Sequence, residues 1–147
     1  MKTSEAIKVG VHSIGCLDAD INKYHGEEEI GEVATPTFQV LPKIMTDAEI
    51  DAELKPGKCT MSDVYAFLKN PPKGTKDVYA NFFYVGNRVV GVYWLADGRE
   101  WYVSGWDRDG RRWGAGDRVF SPAKQSTDID AALKIVKEAG YIVMKQV

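Results

Sequence analysis

The residues best suited to chemistry stand near the start of the chain: His12, Cys16 and His25, with Asp18 and Asp20 between them. A His-x3-Cys spacing sets two soft metal ligands on one face of a helix, and a distant histidine can add a third. The same trio reads as a thiol nucleophile with an imidazole base. Neither reading gathers further support. The spacing matches no zinc pattern, a closed structural site needs a fourth ligand, and Gly10 and Gly15 weaken any helix there. Incidental polar or packed residues are the favoured account of all three, and no cofactor is expected.

The remaining motifs fall short on their own terms. Asp107-Arg-Asp-Gly110 starts like a calcium loop but lacks its third acid, the correctly placed glycine and the closing glutamate, so a turn is the better account. The glycine-bearing stretches at 86–91 and 105–110 precede no helix with a Lys-Ser/Thr, as a phosphate loop requires. Glu27, Glu28 and Glu29 read as a solvated run. No nucleophile elbow or catalytic carboxylate pair is present, and the reading leans away from an enzyme.

One segment is unusual. Between Phe82 and Phe120 lie all four tryptophans, all six arginines and six of the twelve phenylalanines and tyrosines. Aromatic residues interleaved with arginine suit the stacking of single-stranded nucleic acid. Yet five carboxylates share the segment, leaving a net charge of +1, whereas affinity for a polyanion needs uncompensated cations. Nucleic acid is therefore the weakest of the binding readings.

The elements that carry these residues follow from punctuation and periodicity. Thr60 with Asp63 forms a capping box, Val64, Phe67 and Leu68 sit at helical spacing, and Pro71-Pro72 ends that helix. Gly86-Asn87 and Asp97-Gly98 join three β-forming runs into a meander, and a last strand follows at residues 117–121. Residues 126–140 read as a helix closed by Gly140, and residues 141–147 as a returning strand. Before residue 58 the pattern is weaker. Residues 7–11 suit a strand, residues 37–41 a second one cut off by Pro42, and Thr46 with Glu49 caps a short helix. Residues 18–36 read as loop with at most a turn of helix. The expected fold is a single α+β domain over residues 1–147, an antiparallel meander sheet of about four to six strands with two or three helices packed on it.

Two-residue turns set the register, and the register sorts the side chains. Val85 faces Arg88, Phe83 faces Val90, Asn81 faces Val92, Trp94 faces Trp101 and Val92 faces Val103. One face then carries Tyr79, Phe83, Val90, Val92, Trp94, Trp101 and Val103, an ordinary core. The other carries Phe82, Tyr84, Val89, Tyr93, Leu95, Tyr102 and Trp106, around Gly91 and Ser104. A one-sided sheet would be polar there. Three occupants suit this second face: the chain's own N-terminal third, another protein or a second copy, or a ligand in a pocket.

Bulk properties set the limits. A chain of 147 residues with 44% hydrophobic content can bury a core without metals or disulfides. No apolar run is long enough to span a bilayer, and the N-terminus lacks the pattern of a secretory signal, so a cytoplasmic protein with no membrane partner is expected. Cys16 and Cys59, far apart and in no CxxC pair, then read as free thiols. Residues 1–57 carry a net charge of −6 and residues 58–147 a net charge of +4, a split that can steer one half onto the other or one subunit onto its neighbour. The expected function is binding through the aromatic face: association with a protein partner, with a homodimer foremost. Phe82, Tyr84, Tyr93, Tyr102 and Trp106 would be the contact residues and Arg108, Arg111 and Arg112 the rim. The alternative is a small-molecule pocket, or a small enzyme, under the same face.

Overall fold

The meander dictated by the turns is the centre of the sheet. The computed structural model describes residues 1–10, 14–108 and 112–123. In chain order these form α1 (Thr3–Gly10), β1 (Ile14–Leu17), α2 (Ala19–His25), β2 (Thr37–Val40), β3 (Met45–Thr46), α3 (Asp47–Glu53), α4 (Met61–Lys69), β4 (Asn81–Val85), β5 (Arg88–Leu95), β6 (Glu100–Asp107), β7 (Arg112–Trp113) and β8 (Arg118–Ser121). The expected helix at 126–140 and strand at 141–147 lie outside the described residues.

The fold is α+β. Six strands form one sheet in the order β1-β6-β5-β4-β8-β2, and β3 pairs with β7 in a small second sheet. Strands β4, β5 and β6 are an antiparallel meander in the expected register, with Val85 opposite Arg88, Phe83 opposite Val90 and Trp94 opposite Trp101. The outer strands depart from the expectation of a purely antiparallel sheet. Strand β1 runs parallel to β6, and β8 runs parallel to β4 while pairing antiparallel with β2. Both parallel pairs join segments far apart in sequence, so no turn chemistry announces them.

Each face of the sheet covers a core. On one, Phe83, Val85, Val90, Val92, Trp101, Val103 and Phe120 pack with Ile7 of α1, Ile21 of α2 and Met61, Val64, Phe67 and Leu68 of α4. Phe67 is its hub, meeting Phe83, Trp101 and Phe120 edge-on at 5.1–5.6 Å between ring centroids. Tyr79 does not join this core. The Asp77 carboxylate accepts its N–H (3.0 Å) and turns the chain aside, the ladder begins at Asn81, and the Lys76 ammonium lies 4.7 Å from the Trp94 ring centroid. On the other face Phe82, Tyr84, Val89 and Val119 pack with Leu41, Met45, Ile50 and Trp113.

Both capping boxes form. Thr46 and Glu49 exchange backbone-to-side-chain bonds of 2.9 and 3.2 Å, and the Asp63 carboxylate accepts the Thr60 N–H at 2.7 Å. The N-terminal expectations need two corrections. Residues 3–10 are a helix, not the start of a strand, because Thr3, Ala6 and Ile7 are buried at helical spacing against α2 and α4. Residues 19–25 are a helix of 7 residues, not a loop; the Asp18 carboxylate caps it and Ile21 anchors it in the core. Among the described residues no helix is long and apolar enough to cross a membrane.

Candidate functional site

The second face holds a connected row of rings that runs from the core towards the surface. Phe82 and Tyr84, on β4, are wholly buried and meet edge-on at 5.7 Å. Trp113 of β7 stacks on Phe82 at 3.9 Å and 3°. Trp106 follows at 6.0 Å from Trp113, Tyr93 at 5.8 Å from Trp106, and Tyr102 at 6.0 Å from Tyr93. Trp113 is buried, whereas Trp106, Tyr93 and Tyr102 are half-buried, and Leu95 beyond them is 39% exposed. The strands impose this order, since alternate residues of β5 and β6 share a face and Tyr93 lies directly opposite Tyr102. Gly91 makes room for it: a Cβ there would stand 2.4 Å from the Trp106 ring. Ser104, opposite Gly91, is buried with no hydrogen-bond partner for its hydroxyl among the described residues.

A polar network closes the inner end of the row. Asp47, buried at the first turn of α3, accepts the Tyr84 hydroxyl at 2.6 Å and the Trp113 indole N–H at 3.1 Å, both on one oxygen. Burial of a carboxylate is costly unless such donors offset it. Burial, and then the bond to Asp47, push the Tyr84 hydroxyl far above its ordinary range, so it acts as a fixed donor and not as an acid or base. The Arg108 guanidinium lies 3.9 Å from the Tyr84 ring centroid and pairs with the Asp51 carboxylate of α3.

A second cluster sits where α2 meets β5 and β6. Arg88, buried, donates to Asp107 at 2.6 Å, stands 3.5 Å from the Asp20 carboxylate and lies 3.6 Å over the Tyr24 ring. His25 is buried close by. Desolvation first, opposed by Glu28 and reinforced by Arg88, holds its imidazole below the ordinary histidine range. Arg118 is likewise internal, donating to Asn81 at 3.0 Å and to the Gly74 carbonyl at 2.7 Å and pairing with Asp77.

The expected contact residues therefore divide. Phe82 and Tyr84 are core, because Met45, Ile50 and Leu41 cover them; the chain's own N-terminal third occupies that half of the face. Tyr93, Tyr102 and Trp106 form the half-buried outer end. Arg108 is turned inward onto Tyr84 and Asp51, Arg112 is exposed on β7, and Arg111 lies outside the described residues. The soft-ligand trio is not assembled by what is described: His25 ends α2, Cys16 contributes backbone to β1, and His12 lies outside the described residues. No group of three or more His, Cys, Asp or Glu able to hold a metal occurs among the described residues. Cys59 is a buried free thiol pushed far above its usual range by burial, which removes it as a nucleophile.

Sequence reasoning missed Asp47 and Trp113 as members of the row. Asp47 had a signal, since the Thr46 capping box places it at the first helical position, but its long-range partners left none. No family model, curated protein or solved structure matches this chain.

Proposed function

We propose that the protein is a binding module that works by protein–protein association through the outer end of its aromatic face. The observation behind this reading is the graded row itself. Its inner rings are locked into a closed core by Asp47, Trp113 and α3, while Trp106, Tyr93, Tyr102 and Leu95 run out to the surface on the same rigid strands. Tyrosine and tryptophan held in this way present large amphipathic area with little rotamer entropy left to lose, which is the character of interface anchors. Arg108, beside the inner end of the row, is tied down by Asp51 of the same chain. Recognition there rests on shape and apolar contact, with charge setting orientation at the rim.

The test is cross-linking and affinity capture with the wild-type chain and with a Tyr102→Ala, Leu95→Ser variant of matched thermal stability. Loss of hot-spot contacts lowers recovery of a specific partner by roughly tenfold or more. Equal recovery of every captured protein by both chains sinks the reading.

A further inference from the structure

Strand β2 is the last strand on one side of the main sheet. Its inner side pairs with β8: Thr37 with Ser121, Phe38 with Phe120, Gln39 with Val119 and Val40 with Arg118. Bonding alternates along an antiparallel pair. The Leu41 N–H donates to the Asp117 carbonyl (2.8 Å), and Arg118 turns its own N–H away to Ala80 (2.9 Å). Gln39 and Thr37 therefore direct their amides at β8, while Phe38 and Val40 direct theirs outward. Among the described residues no strand pairs with that outer edge. The next outward positions on either side are Pro36 and Pro42, which have no N–H to give.

We propose that this edge pairs with the same edge of a second copy of the chain, β2 against β2, antiparallel about Gln39. In that register Phe38 of each copy stands opposite Val40 of the other, and each outward amide finds a carbonyl, making four N–H···O bonds in all. Sliding the strands by two residues in either direction sets a proline ring, in place of an N–H, against a carbonyl of the other strand. The two prolines thus select one pairing. Phe38 and Val40 share a face, so the pairing lays the half-buried Phe38 ring against the other copy's Val40, which is 54% exposed in the single chain.

The strand ends match as well. Ile44, 64% exposed, follows β2, and Val33, 42% exposed, precedes it. The two-fold brings the Ile44 end of one copy alongside the Val33 end of the other. Lys43, which also pairs with Glu53 of its own chain at 3.4 Å, stands at the first end and Glu32 at the second, both exposed, so the charges at each rim are opposite in sign. Strands of four residues a side fall short of the roughly 1,200 Å² of a standard interface, so the dimer is reversible and concentration-dependent. This pairing uses the sheet edge alone and does not rest on the aromatic row.

Sedimentation velocity of the full chain, from low micromolar to about 1 mM, tests it. The weight-average mass rises from 16.4 kDa towards twice that value. Val40→Pro deletes an outward N–H and leaves the bonds to β8 in place, and Val40→Lys adds a charge at the seam; both hold the mass at that of one chain, with wild-type circular dichroism as the control for folding. Tyr102→Ala leaves the dimer intact. A wild-type chain that stays monomeric throughout overturns the proposal and leaves the edge to an extended segment of another protein or to no partner. So does a dimer that persists in the folded Val40 variants, or one that Tyr102→Ala dissolves.

Discussion

Trp106 rests on bare backbone. Its ring covers Gly91 so closely that the first carbon of any side chain would intrude, at 2.4 Å from one ring carbon and 2.8 Å from the next, with the Tyr93 ring 3.1 Å away. Gly91→Ala must therefore lift the indole, at a cost of about 1–3 kcal/mol of overpacking, seen as a red shift of tryptophan emission with a lowered melting temperature. His25 gives a prediction of the opposite kind, in which nothing moves and only a proton binds. Its folded-state pKa lies below the ordinary 6.5, so the unfolded chain takes up the proton first as pH falls. The contribution of neutral His25 is complete above 6.5 and is lost as pH drops from there through the folded value. The groups facing it do not reverse the sign, since burial and Arg88 together outweigh Glu28. Thermal unfolding between pH 5 and pH 8 should show a loss on acidification that a His25→Gln variant lacks in part.

The hairpins show how far an element can be read from its residues. Gly86 takes φ +63° at the first position of its turn, as a two-residue loop with glycine there requires. The second hairpin keeps the register expected from Asp97-Gly98 but not the conformation: its last pair is Leu95 with Glu100, and Arg99, not Gly98, carries the positive φ of +52°. An arginine in that region is strained, so Arg99→Gly should stabilise the fold by about 0.5–1 kcal/mol, a rise of roughly 2–4 °C in a thermal melt. Register survives such a substitution of roles because it depends on loop length, whereas the backbone of each loop residue depends on local contacts. The same division explains the rest. Capping boxes and the meander were readable because their partners lie three or a few residues apart. Helix α1 was not, because Ile7 and Val9 favour strands locally and only contacts with α2 and α4 decide otherwise. The covering of Phe82 and Tyr84 was not readable either, since Met45, Ile50 and Trp113 reach them from distant segments.

Across the whole molecule the charge asymmetry acquires a physical meaning. Asp20 and Asp51 of the acidic N-terminal third hold Arg88 and Arg108 of the basic remainder, one pair on each side of the meander. Charge thus helps to fasten the two portions of the chain around one sheet, with each pair partly exposed and sensitive to salt. The order of strands sets a different constraint. Strand β8 lies between β4 and β2, so Thr37 finds its sheet partner only at Ser121, about eighty residues further along. During synthesis β4 emerges with an unsatisfied side and β2 with nowhere to dock until β8 has left the ribosome. The meander can form early, but the sheet cannot be completed in the order in which the chain is made. A nascent chain halted before Arg118 therefore carries two open strands at once, and the interval before residues 118–121 appear is when this protein most needs shelter from other unfinished chains.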